Sequence, residues 1–196
     1  RSIVRFEENP LCFKNVIAHL PGTTDTNIVV GAHYDTAIGT PGADDNASGI
    51  AVLLETARSL MDRSVLQHAP AKTGVTFVAF ANEEPPFSRT SAMGSAQFVA
   101  SAMQNRGKIS FMLCLEMLGF YTNRPDSQSY PPLLKFFYPD QGRFIAVVGN
   151  LQSRHYVRRI KQVFEQETKI PVESLIAPRW VRGVDFSDHM NFWDKG

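Results

Sequence analysis

Four short clusters of histidine and carboxylate side chains could together bind a metal ion. They are His33-Tyr34-Asp35, Gly42-Ala43-Asp44-Asp45-Asn46, Asn82-Glu83-Glu84 and the single Glu116. One imidazole and several carboxylates make up the ligand set of a hydrolytic zinc centre, and a carboxylate can bridge two ions. The clusters therefore indicate metal-assisted hydrolysis, provided that the fold brings them together.

The spacing within two of these clusters predicts which side chains bind metal and which orient a ligand or act as general base. His33 and Asp35 are two residues apart, so on an extended chain they point to the same side. We expect the Asp35 carboxylate to accept the second ring N–H of a metal-binding His33. Glu83 and Glu84 are adjacent and diverge at a strand end, so one can bind metal while the other acts as general base.

The clusters follow predicted strands, which is where an open α/β sheet places its ligand-binding edge. The apolar run 27–34 is typical of a strand covered on both faces. Positions 50–61 repeat apolar residues with helical spacing, which predicts an amphipathic helix. The remaining predicted elements are strands at 3–7, 13–20, 74–80, 109–115 and 144–148, helices at 89–104 and 152–168, and an ordered excursion at 125–139.

This alternation of strands and helices predicts an α/β fold. We expect one domain over residues 1–196, with a central mixed, mostly parallel sheet flanked by helices on both faces. The chain begins at Arg1 and stops at Gly196 directly after a structured-looking segment. We therefore expect it to be a piece of a longer protein, truncated at both ends.

Composition narrows the classes of function. The 196 residues are 43% hydrophobic and 20% charged, enough apolar material for one sizeable core. The 20 basic and 19 acidic residues leave a net charge of 20 − 19 = +1, which predicts no nucleic-acid partner. No apolar run is long enough to span a bilayer. Cys12 and Cys114 lack C-x-x-C spacing and predict neither a thiolate zinc site nor a disulfide scaffold.

Six strings in the sequence resemble the motifs of zinc-dependent aminopeptidases of the co-catalytic two-zinc type. They are GAHYDT at 31–36, PGADDNASG at 41–49, NEE at 82–84, MGS at 93–95, LEMLG at 115–119 and SDH at 187–189. The similarity is dense over 13–120 and looser over 143–193. Glutamate carboxypeptidase and glutaminyl cyclase are relatives of these enzymes on the same fold.

The resemblance implies a role for each acidic cluster. His33 would bind one zinc, Asp44 would bridge the two ions, and Glu84 would bind the other zinc. Glu83 would act as general base. The next ligand position is normally aspartate and here is Glu116, which keeps a carboxylate oxygen on a longer side chain.

Three further residues belong to the site by resemblance. Asp45 would be joined to Asp44 by a cis peptide, and Asp188 and His189 of the SDH string would lie beside the pocket. The family places a second zinc-binding histidine downstream of that string, beyond Gly196. The complete site would therefore hold two zinc ions, and this chain alone one or none.

The activity implied is hydrolysis of the N-terminal peptide bond of a peptide by a zinc-activated water and the Glu83 base. Three alternatives stay open: a glutaminyl cyclase-like activity, a carboxypeptidase-like activity, and a metal-free binding module without catalysis. Because related enzymes are often exported, the resemblance favours an extracytoplasmic location, periplasmic or secreted. The sequence does not predict an oligomeric state.

Overall fold

The structure is a computed structural model that describes residues 2–5, 12–62, 71–105, 108–130 and 134–195. The last two positions of the predicted strand 3–7 lie outside these residues. The chain divides into two compact units, one formed by residues 1–119 with 187–196 and the other by residues 120–186. The prediction of one domain over the whole chain, truncated at both ends, stays a prediction.

The first unit is built on a five-stranded mixed sheet. Its strands are β1 (Ser2–Arg5), β2 (Cys12–Leu20), β3 (Thr26–His33), β4 (Gly74–Phe80) and β5 (Lys108–Cys114), in the spatial order β1-β2-β4-β3-β5. β2 pairs antiparallel with β1 and β4, whereas β3 pairs parallel with β4 and β5. The parallel strands β4, β3 and β5 therefore end at one edge of the sheet.

Helices cover both faces of this sheet. α1 (Gly49–Met61) places Leu53 in a core with Val30 and Phe77, on one face. On the other face, α2 (Gly94–Asn105) places Phe98 against Val29, whose neighbour Val30 points the opposite way. This side alternation along β3 is the reason why its sequence is apolar throughout. The predicted α/β class with a mixed sheet and helices on both faces is confirmed.

α2 begins five residues later than the predicted helix 89–104. Arg89 has φ 62° and therefore cannot be part of a right-handed helix. The following turn is stabilised by the Thr90 hydroxyl, which donates to the Phe87 carbonyl at 2.6 Å. The apolar pattern does not predict the short helix His189–Trp193, because five residues carry too little periodicity.

The second unit contains two parallel strands, β6 (Ile145–Gly149) and β7 (Val172–Ile176), joined by α3 (Arg154–Glu167). Val147, Val157 and Val172 form its core. β6 and α3 were predicted, and β7 was not. Among its described residues, the predicted excursion 125–139 contains one short 3₁₀ turn at Leu134–Phe136. We number the helix His189–Trp193 α4.

Among the described residues, no helix combines the length and the apolar character needed to cross a membrane.

Candidate metal centre

Three sequence clusters meet at the edge where the parallel strands end. His33 is the last residue of β3, Glu83 follows β4, and Glu116 follows β5. The strand register pairs His33 with Phe80 on one side and Gly31 with Cys114 on the other. The three strands thus end at nearly the same level, so their following residues converge.

The Nε2 atom of His33 is surrounded by carboxylate oxygens. Asp45 Oδ1 lies at 3.1 Å, Glu116 Oε2 at 3.4 Å and Glu83 Oε2 at 4.0 Å. His33 is only 1% exposed. One ligand atom each from His33, Asp45 and Glu116 lies within 4.8 Å of the others. These three residues form a compact group of one nitrogen and two oxygen ligands.

The charge around His33 strongly favours a cation at this position. Burial lowers the pKa of His33, but the nearby Asp35 and Glu116 carboxylates, together with the charge of Glu83, outweigh burial and raise the pKa to about 11. The carboxylates around His33 therefore stabilise positive charge at the imidazole. A divalent ion bound to the same nitrogen would neutralise the same negative charge.

Asp45 provides a direct test of whether these residues fit a metal ion. Its Oδ1 atom is buried and has no hydrogen-bond partner, although it faces the His33 ring. Burial raises the pKa of Asp45, and the charge of Glu116 raises it further. A buried carboxylate oxygen without a donor is costly, and a coordinated cation would remove that cost. The donor set of imidazole and carboxylates fits zinc.

Asp35 holds the loop that carries both glutamates. Its Oδ1 accepts the N–H of Glu83 at 3.2 Å, and its Oδ2 accepts the N–H of Glu84 at 3.0 Å. The expected hydrogen bond from His33 to this carboxylate is not formed. His33 Nδ1 lies 3.0 Å from the main-chain oxygen of Asp35 and 3.6 Å from Oδ1. Both carboxylate oxygens of Asp35 are therefore available for the main-chain N–H groups of Glu83 and Glu84, and they position these two residues.

Glu83 is almost fully buried next to this group. Burial raises its pKa to about 8, the negative charges of Asp188, Glu116 and Glu84 act in the same direction, and His33 acts against them. A carboxylate whose pKa lies close to neutral can both accept and release a proton at physiological pH.

The structure does not bring Asp44 into the group around His33. Asp44 Oδ1 accepts the N–H of Gly119 at 2.8 Å and the Ser48 hydroxyl at 3.3 Å. The cis peptide lies between Asp45 and Asn46, so the expectation of a cis bond between Asp44 and Asp45 is wrong by one residue. The carboxylate that faces His33 belongs to Asp45.

Glu84 also lies outside the group of three. Its Oε1 accepts the N–H of Ala37 at 3.1 Å. Burial raises the pKa of Glu84, and the next largest contribution comes from the charge of Asp45. Glu84 is thus electrostatically coupled to Asp45.

Asp188 and His189 of the SDH string have different surroundings. Asp188 is 0% exposed, and neither of its carboxylate oxygens has a well-formed hydrogen bond. Burial raises the pKa of Asp188 to about 7, against the opposing effects of the Ser95 hydroxyl and His33. The His189 ring packs edge-on against Trp193, with ring centroids 4.6 Å apart.

Two residues at the site have roles that sequence reasoning did not identify. The Ser187 hydroxyl donates to Glu116 Oε2 at 2.7 Å and lies 3.3 Å from Cys114 Sγ. Asn46 is 1% exposed and bonds to main-chain groups next to Glu116. The only sequence signal was their place inside the SDH and PGADDNASG strings.

Two proteins illustrate the sequence similarity of this chain to known relatives. An uncharacterized protein of Escherichia coli K12, YfbL, is 45% identical over 190 residues, which cover 92% of this chain and 56% of YfbL. A probable leucine aminopeptidase of Arthroderma otae is 31% identical over 165 residues, covering 81% of this chain and 39% of that protein. The chain thus spans between about two fifths and three fifths of these relatives.

Solved structures share the fold. LapB from Legionella pneumophila superposes with a TM-score of 0.67 at 24% identity, covering 99% of this chain and 45% of LapB. A glutaminyl cyclase of an Acidobacteriales bacterium superposes with a TM-score of 0.58 at 22% identity, covering 99% and 59% of the two chains. The model of peptidase family M28 matches residues 15–196. The chain belongs to peptidase family M28.

Proposed function

We propose that this chain carries the reaction centre of a zinc-dependent exopeptidase that hydrolyses the N-terminal peptide bond of peptides. The observation that carries the proposal is the convergence of Asp45 and Glu116 on His33 Nε2, with Glu83 beside them. Membership of a peptidase family supports hydrolysis of peptides. The leucine aminopeptidase among the relatives supports cleavage at the N-terminus.

Zinc would be held by His33 Nε2, Asp45 Oδ1 and Glu116 Oε2. Three protein ligands are the number typical of catalytic zinc sites. Bound there, zinc would supply Lewis-acid polarisation of the scissile carbonyl and lower the pKa of the attacking water. Asp45 replaces Asp44 in this assignment, because Asp44 is engaged with Gly119.

Glu83 would move the proton. Its Oε2 lies close to His33 Nε2 but further away than the two ligand oxygens, so it can face water rather than metal. Its raised pKa suits a group that takes a proton from the attacking water and passes it to the leaving amine. Asp35 acts as a positioning residue, because its carboxylate fixes the main chain at Glu83.

A second zinc would draw on Asp45 and Glu84. These two carboxylates are fewer than the three protein ligands of a typical catalytic zinc site. We therefore assign one zinc to this chain.

The test is zinc stoichiometry together with turnover. Metal-free protein is reconstituted with zinc, dialysed and measured by elemental analysis, and hydrolysis of leucine p-nitroanilide is followed in parallel. One bound zinc per chain with zinc-dependent release of nitroaniline is expected. A folded chain that binds no zinc would support the metal-free binding module instead.

A further inference from the structure

The side chain of Asn46 contacts the peptide groups on both sides of Glu116. Asn46 Nδ2 donates to the carbonyl of Leu115 at 2.9 Å, and Oδ1 accepts the N–H of Met117 at 3.3 Å. One amide side chain therefore holds the main chain on both sides of Glu116. We call this pair of hydrogen bonds the clasp. Asn46 is almost fully buried, so water does not compete for these bonds.

Asn46 directly follows Asp45 in the chain. Its bonds beside Glu116 therefore connect the segments that carry the two carboxylate ligands. The clasp joins the Asp45 segment to the Glu116 segment across 70 positions of sequence. The same Oδ1 accepts the N–H of Gly49 at 3.1 Å, at the start of α1. A Cβ atom at position 49 would collide with this oxygen, so glycine is required for this approach.

The main chain at Glu116 needs such a clasp for two reasons. Met117 has φ 49°, a left-handed conformation that a methionine rarely adopts without support. Glutamate also has one more rotatable bond than aspartate, so fixing its carboxylate costs more conformational entropy. Anchoring the backbone on both sides of Glu116 fixes the point from which this longer side chain extends.

We infer that Asn46 is the positioning residue that sets the distance between the Asp45 and Glu116 carboxylates, and thereby the affinity and geometry of the metal site. This inference rests on the proposed function. Asn46 does not contact the metal in this assignment. It acts through the backbone of both ligands.

Ser48 provides a matched control within the same pair of segments. Its hydroxyl accepts the N–H of Leu118 at 2.9 Å, while Asp44 holds Gly119. These bonds fix the loop after Glu116 but leave the peptide groups flanking Glu116 unchanged. Ser48→Ala therefore removes a bond between the same two segments without removing the clasp.

The decisive variant is Asn46→Ser. A serine oxygen can still accept the N–H of Gly49 in the manner of a helix cap, but it is too short to reach Leu115 and Met117 together. Zinc affinity is measured by competition with a chromophoric chelator, and Co²⁺ absorption reports the coordination geometry. We expect Asn46→Ser to bind zinc about 10- to 100-fold more weakly, with changed Co²⁺ bands, as for other groups that orient metal ligands. Ser48→Ala should remain close to the wild type in both measurements.

Asn46→Asp is a second variant that separates geometry from charge. It keeps the shape of the side chain and the acceptor for Met117, but it loses the donor to Leu115 and adds a negative charge. If geometry decides, zinc affinity falls in spite of the added charge. An unchanged or higher affinity would overturn the role of Asn46, and this variant decides the question should Asn46→Ser not fold.

The outcomes separate the two proposals. Wild-type protein without zinc affinity would contradict the proposed function. Wild-type protein that binds zinc, with Asn46→Ser binding equally well, would contradict only the role of Asn46. Equal losses in Asn46→Ser and Ser48→Ala would also overturn it, because the whole loop and not the clasp would then set the site.

Discussion

The hydroxyl of Ser187 donates a 2.7 Å hydrogen bond to Oε2 of Glu116, the same oxygen that lies 3.4 Å from His33 Nε2. Ser187 is 4% exposed, so this bond is protected from water. Because the single hydroxyl proton goes to Glu116, the Ser187 oxygen can accept from the thiol of Cys114 at 3.3 Å. This chain of bonds fixes the direction of the glutamate carboxylate.

Ser187→Ala should therefore weaken zinc binding without unfolding the protein. Loss of a group that orients a metal ligand costs about 10- to 100-fold in affinity. Competition with a chromophoric chelator measures the change. Ser101→Ala is the control, since the Ser101 hydroxyl bonds within α2, to the Phe98 carbonyl. An affinity of Ser187→Ala equal to that of the control would show that Glu116 does not need this bond.

Glu83→Gln should keep zinc and lose catalysis. The amide preserves the shape of the side chain but cannot take a proton, so kcat should fall by about 10²- to 10⁴-fold. Zinc content and hydrolysis of leucine p-nitroanilide are measured on the same preparation. Glu55→Gln is a matched control on the exposed face of α1, and it should turn over normally. Near-normal turnover of Glu83→Gln would end the assignment of Glu83 as base.

Asp35→Asn should disturb the positions of both Glu83 and Glu84. An amide offers one acceptor, so its NH₂ group would face the N–H of either Glu83 or Glu84. A buried N–H without an acceptor costs about 1–3 kcal/mol. We expect lower stability in urea together with lower kcat. Full turnover in a destabilised variant would show that Asp35 only supports the fold.

The sequence predicts the elements that bring the site together, and the reason is physical. β3, β4 and β5 are predominantly apolar, and their parallel pairing places the following residues at one edge. β7 has the same length as β6, but Glu173 and Ser174 interrupt its apolar residues, whereas β6 has none that are polar. The five residues of α4 are too few for a helical period. These elements form through contacts distant in sequence, which local patterns do not encode.

The choice between Asp44 and Asp45 shows where sequence reasoning stops at the site itself. The two residues are adjacent and chemically identical. Asp44 is occupied by the N–H of Gly119, 75 positions away, whereas Asp45 faces His33. Only the folded backbone distinguishes them. The same holds for Asn46, whose partners flank Glu116.

Asn15 provides a prediction on stability. It is 1% exposed, its Nδ2 donates to the Gly94 carbonyl at 2.7 Å, and its Oδ1 accepts the N–H of Ala81 at 3.1 Å. Asn15→Ala leaves the N–H of Ala81 without this acceptor, at about 1–3 kcal/mol, and removes one of the hydrogen bonds to the Gly94 carbonyl. Urea denaturation measures the loss. The exposed Asn123→Ala is the control, and equal stability of the two variants would contradict the prediction.

Zinc should stabilise the folded protein. The ligands His33, Asp45 and Glu116 come from three separate segments and meet only in the folded chain, so zinc binds that state selectively. Free zinc at about 100 times its Kd adds about 2.7 kcal/mol to the free energy of unfolding. Thermal denaturation with zinc and with a chelator measures the difference in Tm.

Two variants test where the zinc binds. Glu116→Gln keeps the volume of the side chain but loses a charged ligand, so zinc should raise its Tm much less. Zinc should raise the Tm of Glu55→Gln as much as that of the wild type. An equal response of Glu116→Gln and Glu55→Gln would place the zinc elsewhere on the protein.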